Sequence, residues 1–447
     1  MQPQTQTEPL IENDLQIETP VSAQPGPAWS FPARLGFRFG FIYFVLYGFP
    51  GPLAFIPGVN SLFGWYEKLW KVLVIWSGAH VLHLSHPVQY ILTGSGDTLH
   101  DYIQNGLTLA FALLGMALWS VLDRRRPHYT YLYQWLRFYV RLYLGATLLS
   151  YGGYKVIKSQ FPYPYLTRLL EPYGNSSPMG LLWTFMGYST PYTIFAGAVE
   201  MLGGALLILP RLTTLGALVS AAAMTNVFLL NMSYDVPVKI FSLNLLLMSC
   251  FLLLPDLRRL ANLFILNHAT EPEVPPPLFR RRWLALSLVA LQLLLLAWCS
   301  GYDLYQSYSG SKQYGDLAPR PPLYGIYNVD ELTIDGQVRP PLFTDATRWR
   351  YMTFDLFNVI SLVPPEGAVQ RFLGKLDDKA GTLELTRPSD QKWKADFKLE
   401  RQPHDGLLLS GTMDGKAITA KLRKLDYNSF VLNSRGFHWI NELPFNR

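Results

Sequence analysis

The sequence predicts a mainly α-helical membrane bundle of about seven transmembrane helices, followed by a C-terminal all-β domain that is either a sandwich or a barrel. Its 447 residues are 49% hydrophobic and only 16% charged, whereas soluble domains carry about 25% charged residues. Before residue 301, seven long stretches contain at most one charged residue each. From residue 302 onward, apolar and polar residues alternate and Asp-Gly pairs recur, a pattern typical of antiparallel strands.

The N-terminal residues 1–30 are rich in Gln, Glu, Thr and Pro and contain few large apolar side chains. Such a composition cannot bury a hydrophobic core, so we predict a disordered cytoplasmic tail. The chain has two cysteines, which argues against a disulfide-stapled fold and against a cysteine-ligated zinc or iron–sulfur site. We attribute the modest net charge of +6 to membrane orientation rather than to nucleic-acid binding.

A helix that crosses a bilayer needs about 20 mostly apolar residues. Any one of the seven stretches would also suit a buried helix of a soluble protein, but seven in one chain favour a membrane protein. The predicted spans are residues 39–66 (interrupted by Pro50, Pro52 and Pro57), 102–122, 138–154, 192–209, 212–234, 236–254 and 283–300.

The arginines predict how these spans are oriented. With the N-terminus in the cytoplasm, every clear arginine cluster falls on the cytoplasmic side, as the positive-inside rule requires. These clusters are Arg34 with Arg38, the run 124–126, Arg211, the pair 258–259 and the run 280–282. We therefore predict a multi-pass protein of the bacterial inner membrane, with the lipid bilayer as its first partner and its β-domain in the periplasm or outside the cell.

Residues 67–90 are ambiguous because their apolar stretch, 72–84, is short for a span. We predict an interfacial or re-entrant helix on the outer side, with an eighth span as the alternative. His80, His83 and His86 recur every third residue, and on a helix the first two share a face, as metal ligands would. Histidines also suit a membrane interface without any metal, so both interpretations stay open.

Glu200 lies in the middle of an apolar span, where an ionised carboxylate is expensive and is a functional hypothesis by default. It needs a cationic partner, and the candidates are Arg141, Lys155 and Lys239. We predict that Glu200, Lys155 and Arg141 form a catalytic or proton-relay group. A purely structural buried ion pair is the alternative.

Polar residues also mark the outer ends of two consecutive spans. Asn226, Asn231, Asp235 and Lys239 form a stripe that we predict to bind a cofactor, and Asp235 is expected to pair with Lys239 across a turn. Earlier in the chain, residues 94–97 form a Gly-rich turn in which Asp97 or Thr98 could cap the helix that follows. This polar turn is a candidate pocket wall.

The region after residue 302 predicts eight strands joined by short turns. Asp-Gly pairs at 335–336, 405–406 and 414–415 separate several of them. The aromatic-rich residues 435–442 suit either a last strand or a binding segment. The predicted strands are 325–334, 348–356, 369–376, 382–385, 393–399, 407–413, 417–425 and 429–432.

Short motifs in the middle of the chain resemble the DoxX-like membrane family. Arg141-Leu-Tyr-Leu-Gly145 followed by Gly152-Gly-Tyr-Lys155 is similar to the first core helix of that family. Glu200-Met-Leu-Gly203-Gly204, and then Arg211-Leu-Thr-Thr214, are similar to its second helix and the turn into its third. The resemblance covers residues 137–254 and implies a four-helix membrane core. Family members are linked to thiosulfate:quinone oxidoreduction as an accessory subunit, and to membrane oxidoreductase complexes.

We therefore expect an accessory membrane component of a quinone- or thiol-linked redox complex, with quinone as the candidate cofactor. Residues 307–447 would dock a protein partner of that complex. A non-catalytic membrane scaffold and a small-solute transporter are the alternatives, and the sequence leaves open whether the chain is catalytic. The predicted domains are the tail 1–30, two N-terminal spans with an outer helix in 31–134, the four-helix core 135–256, a loop and last span in 257–306, and the β-domain 307–447.

Overall fold

Among the described residues, helices predominate up to residue 314 and strands follow, in a computed structural model that describes residues 28–51, 53, 58–271, 278–279 and 281–446. The predicted disordered tail thus lies almost entirely outside the described residues. The helices are α1 Phe31–Gly48, α2 Gly64–His80, α3 Leu99–Leu122, α4 Thr130–Val156, α5 Leu166–Leu170, α6 Pro178–Tyr188, α7 Thr190–Ile208, α8 Thr213–Ser233, α9 Lys239–Leu253, α10 Leu257–Ala261, α11 Arg282–Tyr314 and α12 Val431–Ser434.

Within the described ranges, five helical segments are long and apolar enough to cross a membrane. They comprise α3, α7, α8, α9 with its continuation to Leu266, and α11, and they match five of the seven predicted spans. The stretch 39–66 is not one helix, because α1 ends at Gly48 just before Pro50 and a new helix begins only at Gly64. Proline disfavours helical geometry in the residue before it, which explains this break. The remaining predicted span lies within α4, a more polar helix.

Helix α4 lies at the centre of the bundle, between α7 on one side and α11 on the other. It runs antiparallel to α7, and glycines make this contact close. A Cβ atom placed on Gly152 would lie 2.6 Å from the carbonyl oxygen of Gly197, and one on Gly204 would lie 2.9 Å from that of Gly145. Small residues at such crossings let backbones approach, as is common between helices in membranes.

The arginine clusters gather at one end of the bundle. Arg34 donates to the carbonyl of Arg126 at 3.1 Å, and the Arg38 guanidinium donates to the hydroxyls of Tyr129 and Ser120 at 2.8 and 2.7 Å. These contacts bring the start of α1 to the end of α3. The grouping agrees with the predicted arrangement, and the side of the membrane that this end faces stays a prediction.

Helix α2 ends at His80, ten residues before the end of the predicted segment 67–90. It packs against α3, with the ring centroids of Trp70 and Phe111 6.0 Å apart and Val74 buried beside Val88 and Ile103. It is not among the five segments that could cross a membrane. Its interfacial or re-entrant character stays a prediction.

The C-terminal region is a closed antiparallel barrel of eight strands, not a sandwich. Neighbouring strands pair in chain order, β1 pairs with β9 to close the barrel, and β2 forms a short hairpin with β1. Apolar side chains from every barrel strand fill the interior. The strands are β1 Gly325–Ile334, β2 Gln337–Val338, β3 Tyr351–Phe354, β4 Val359–Val363, β5 Gln370–Asp377, β6 Thr382–Arg387, β7 Asp390–Gln402, β8 Gly406–Met413 and β9 Lys416–Leu425.

Seven predicted strands are confirmed, and the eighth is wrong. Residues 429–432 lie in a short 3₁₀ turn and in α12, where the Asp426 carboxylate accepts a hydrogen bond from the Asn428 backbone N–H. The eighth strand of the barrel is β4. The sequence analysis missed it because it is short and follows a three-residue turn.

The barrel is attached to the end of the bundle opposite the arginine clusters. The Asp355 carboxylate, at the turn between β3 and β4, accepts a hydrogen bond from the Leu166 backbone N–H at 2.9 Å. Asp316, just after α11, accepts from the Tyr163 backbone N–H at 2.8 Å and lies 3.2 Å from the Lys158 ammonium. These contacts fix the barrel against the segment that joins α4 to α6.

Candidate functional site

A buried ion pair joins the two central helices of the bundle. The Lys155 Nζ atom, in the last turn of α4, lies 2.8 Å from Glu200 Oε2 in the middle of α7. Only 7% of Lys155 and 3% of Glu200 is exposed. Of the three cations considered as partners for Glu200, the structure therefore selects Lys155.

Arg141 does not pair with Glu200, so the prediction that it could be the cationic partner of that carboxylate is wrong, and its catalytic role stays a prediction. Its guanidinium instead donates to the carbonyl oxygens of Leu207 and Ile208 at 2.9 and 2.8 Å. The antiparallel packing places this part of α4 beside the C-terminal end of α7, whose last carbonyls have no partner within their helix. A cation there also interacts favourably with the helix dipole. Arg141 thus caps α7.

The ion pair borders a cavity of about 110 Å³ among α4, α6, α7, α8 and α9. Apolar and aromatic side chains form most of its wall, with a few polar groups between them. Small-molecule sites in proteins commonly have this composition. The polar wall residues include Lys155, Glu200, Asn226, Asn231, Gln160 and Tyr151.

The predicted cofactor-binding stripe divides into two parts. Asn226 and Asn231 line the cavity, and the Asn231 amide donates to the Ser242 hydroxyl at 3.0 Å. Asp235 and Lys239 pair with each other at 2.9 Å, as predicted, but neither lines this cavity. The structure therefore separates these two residues from the cavity beside Glu200, and their assignment to a cofactor site stays a prediction.

Asp97 connects the first part of the bundle to α9. Its carboxylate accepts hydrogen bonds from the backbone N–H groups of Lys239 and Ile240, at 2.7 and 3.0 Å, and so caps the N-terminus of α9. The expected cap of α3 is made by Thr98, which shares a capping box with Asp101. A cap between residues about 140 positions apart leaves no local signal in the sequence.

A second cavity, of about 460 Å³, lies beside the first. The two share Tyr151, Val238 and Phe241 as wall residues. Its wall includes the predicted turn 94–96 and the side chains of Gln104 and Asn105, which the sequence analysis did not select. Two amides in an otherwise apolar predicted span were the signal that could have found them.

A second carboxylate lies inside the bundle at Asp303 of α11. Its Oδ2 atom accepts a hydrogen bond from the Ser150 hydroxyl of α4 at 2.6 Å. The sequence analysis ended the last span at Ser300, whereas α11 continues to Tyr314. The predicted span therefore did not include Asp303. Because α11 continues beyond its apolar stretch, one face of this part of the helix still packs against neighbouring helices.

The three histidines do not share a helical face. His80 is the last residue of α2, where its Nδ1 atom lies 3.0 Å from the carbonyl oxygen of Trp76. His83 follows the helix with a φ of 49°, which turns the chain away. Across the part of the chain that is described, no group of three or more His, Cys, Asp or Glu side chains is placed to hold a metal ion. The proposed helical arrangement of ligands is thus wrong.

A third space is a cleft of about 980 Å³ between the barrel and the segment from Pro162 to Thr184. Its wall combines aromatic and proline side chains with the guanidinium groups of Arg168, Arg350 and Arg371. Arg350 lies over the ring of Tyr351, 5.0 Å from its centroid.

Comparison with known proteins identifies a relative of part of the chain. Over 124 residues, which are 28% of this chain and 79% of the relative, the sequence is 34% identical to the uncharacterized protein YwoB of Bacillus subtilis strain 168. No family model matches the sequence. No solved structure matches it either.

Proposed function

We propose that this chain, which belongs to the same family as the uncharacterized protein YwoB of Bacillus subtilis, is an accessory membrane component of a quinone- or thiol-linked redox complex. The Lys155–Glu200 pair on the wall of a bundle cavity carries this proposal. The DoxX-like resemblance of residues 137–254 points to the same class of protein. We place the chain in the bacterial inner membrane, with the arginine-rich end in the cytoplasm and the barrel outside.

The energetics of the pair favour a role beyond stability. Removing two charges from water costs several kcal/mol per ion, and their attraction often does no more than offset this cost. A pair of apolar residues would hold α4 and α7 together at least as well. A retained ion pair is therefore better explained by what it offers to a molecule in the adjoining cavity.

The cavity chemistry suits a quinone headgroup. Quinone carbonyls accept hydrogen bonds, which the Lys155 ammonium and the Asn226 amide can donate, and the ring needs the apolar and aromatic wall that Phe161 and Trp183 provide. Glu200 beside the ammonium can hold or release a proton as the ligand changes its redox state. The 110 Å³ cavity has room for part of such a ring, so the ligand would have to enter partly through the larger neighbouring cavity.

Titration of the purified full-length protein in lipid nanodiscs with a short-chain ubiquinone tests this proposal. Glu200→Gln and Lys155→Met should each weaken binding at least tenfold. Asp256→Asn is the matched control, since Asp256 is a buried carboxylate at the opposite end of the bundle, 2.6 Å from the Arg259 guanidinium. Wild-type protein that binds no quinone, or three variants that bind equally well, would contradict the proposal.

A non-catalytic membrane scaffold is the second candidate, and the wide cleft between barrel and bundle favours it. In that case the helices anchor the chain and the barrel recruits a protein. Copurification of a partner that is lost in Arg350→Glu, while quinone binding is absent in every variant, would replace the first proposal with this one.

A further inference from the structure

The last residues of the barrel domain expose a dense group of apolar side chains. After α12, the exposed fractions are 76% for Phe437, 91% for Trp439, 80% for Ile440 and 79% for Leu443. Elsewhere in the domain, large apolar side chains mostly point into the barrel. A contiguous exposed apolar group of this kind marks an interaction surface.

This segment, residues 435–446, is a folded loop organised by Arg435. The Arg435 guanidinium donates to the Asn441 side chain and lies 4.6 Å from the centroid of the Phe445 ring. The His438 Nε2 atom lies 2.8 Å from the Arg435 carbonyl oxygen. The apolar side chains between these anchors are exposed, together with polar neighbours such as Glu442.

The loop leaves the barrel at the end that faces the bundle. Strand β9 ends at Leu425, which pairs with Ile326 near the start of β1, and β1 follows directly after α11. Beyond β9, the Asn433 side chain accepts a hydrogen bond from the Tyr163 hydroxyl, in the segment that joins α4 to α6. The loop therefore starts beside the bundle and cannot lie at the far end of the barrel.

The adjacent end of the bundle has the features of a membrane interface. Phe185 and Tyr188 of α6 and Tyr192 of α7 all have exposed rings there. Helix α7 is one of the segments that could cross a membrane, so its first residues lie near one surface of the bilayer. Aromatic residues are enriched at that level, where one edge of the ring is apolar and the other meets water.

The loop is also long enough to touch the lipid. The twelve residues after Ser434 could span up to about 40 Å when extended, and the folded loop needs only part of this reach. A short segment with exposed Trp, Phe, Ile and Leu side chains and an arginine at its base has the composition of interfacial anchors. A soluble partner would have to approach between the barrel and the bilayer to reach the same side chains.

We propose that residues 435–446 insert Phe437, Trp439 and Ile440 into the interfacial region of the leaflet on the barrel side. This surface binds the bilayer itself and holds the barrel close to the bundle, which keeps the cleft between them in a fixed shape. The inference requires that the helices cross the bilayer, but it does not depend on quinone binding.

A fluorescent probe on the loop tests this inference. The environment-sensitive dye NBD is attached at Ile440→Cys in a full-length chain in which Cys250 and Cys299 are replaced by alanine, and the protein is placed in phosphatidylcholine nanodiscs. The probe should emit at shorter wavelength than in water, lose at least half of its intensity with doxyl-labelled lipid, and resist quenching by aqueous iodide. Lys416→Cys, at the start of β9 and at the far end of the barrel, is the matched control and should respond only to iodide.

Two outcomes overturn the inference. A probe at position 440 that iodide quenches as strongly as the control shows a loop in water. A probe that emits at short wavelength but ignores doxyl lipid shows a loop packed on protein. In the added variant Phe437→Ser with Trp439→Ser, the lipid quenching at position 440 should fall at least twofold while the barrel still unfolds at its usual temperature. An unchanged quenching would mean that these two rings do not insert.

Discussion

The helical bundle and the β-barrel differ in where their ion pairs lie. In the bundle, Lys155 and Glu200 are buried together, and Asp303 contacts Ser150 between helices. In the barrel, most ion pairs lie on the outer surface, as between Arg423 and Asp330. The barrel domain has a mainly apolar core, and its one deeply buried guanidinium among the described residues, that of Arg348, donates to the backbone carbonyl oxygens of Trp349 and Val329 at 2.7 and 2.6 Å rather than to a carboxylate.

This difference indicates which region has the features of a functional site and which has those of a stable scaffold. Exposed ion pairs contribute little to stability, and an apolar core needs no partner molecule to be complete. Burying charged groups beside a cavity costs free energy, and a ligand that enters the cavity changes the electrostatic energy of those groups. The bundle is therefore where we propose the chemistry, and docking and anchoring are the roles that we propose for the barrel.

The largest expected effect comes from breaking the buried pair in the bundle. Lys155→Met leaves the Glu200 carboxylate without its cation and should destabilise the bundle by about 3–5 kcal/mol. Adding Glu200→Leu should recover most of this loss, since two apolar residues suit a dry contact. Unfolding in detergent, followed by circular dichroism, measures both effects.

Lys421→Met, on the barrel surface, is the matched control for this experiment because Lys421 and its partner Glu331 are both largely exposed. We expect a loss of about 1 kcal/mol or less there. If the double variant at 155 and 200 is no more stable than the single variant, the unpaired Glu200 carboxylate is not the cause of the lost stability. That result would weaken the contrast between the bundle and the barrel.

A cavity in the barrel core should be almost as costly, but its effect should be confined to the barrel. Leu385 is fully buried in β6, and Leu385→Ala should lower barrel stability by about 2–5 kcal/mol. Leu373→Ala, on the outer face of β5, is the control and should change little. Quinone binding by the bundle should be unaffected. A loss of that binding in Leu385→Ala would show that the two regions form one functional unit.

A smaller effect is expected at the cap that joins two parts of the bundle. Asp97→Ala removes the acceptor for the backbone N–H groups of Lys239 and Ile240 and should cost about 0.5–2 kcal/mol. Asp97→Asn keeps an acceptor oxygen and should retain most of the stability. Thermal unfolding of the two variants side by side checks this, and equal losses would point to the charge rather than to the cap.

The smallest effect lies at the junction of the two regions. Burial raises the pKa of Asp355 above its usual value near 3.8, and this outweighs the hydrogen bonds from Leu356 and Leu166 that lower it. The folded state therefore binds this proton more tightly than the unfolded state. Its contribution to stability is fully present below pH 3.8 and is lost as the pH rises through the raised pKa.

Asp355→Asn should remove this pH dependence. The measurement is the difference in unfolding free energy between wild type and variant from pH 3.5 to 7. A wild-type advantage that grows with pH would show that the hydrogen bonds, and not burial, dominate at this carboxyl group.

The sequence predicted those features that depend on local pattern. Long apolar stretches and the 2-residue alternation of strands gave the two-part architecture, and seven strands were placed to within a few residues. Glu200 was found because a lone carboxylate in an apolar stretch is visible without any structure. The proline at position 50 was also visible in the sequence, although residues 39–66 were still predicted as one span.

The features that the sequence did not reveal depend on which helices meet. Whether Arg141 or Lys155 reaches Glu200 is decided by the register of α4 against α7, which the glycine contacts set. Asp97 at α9 and Asp303 at α4 join residues more than 100 positions apart. No local pattern encodes such distances.

The sequence by itself therefore determined that this protein has an apolar helical region, a β-domain and an expensive buried acid. Only the tertiary structure decided that the β-domain closes into a barrel, that Lys155 is the partner of Glu200, and that the loop 435–446 starts beside the bundle. Burial and periodicity are properties of single segments, whereas partnership follows from packing, where a shift of one helical turn along a neighbour exchanges every contact.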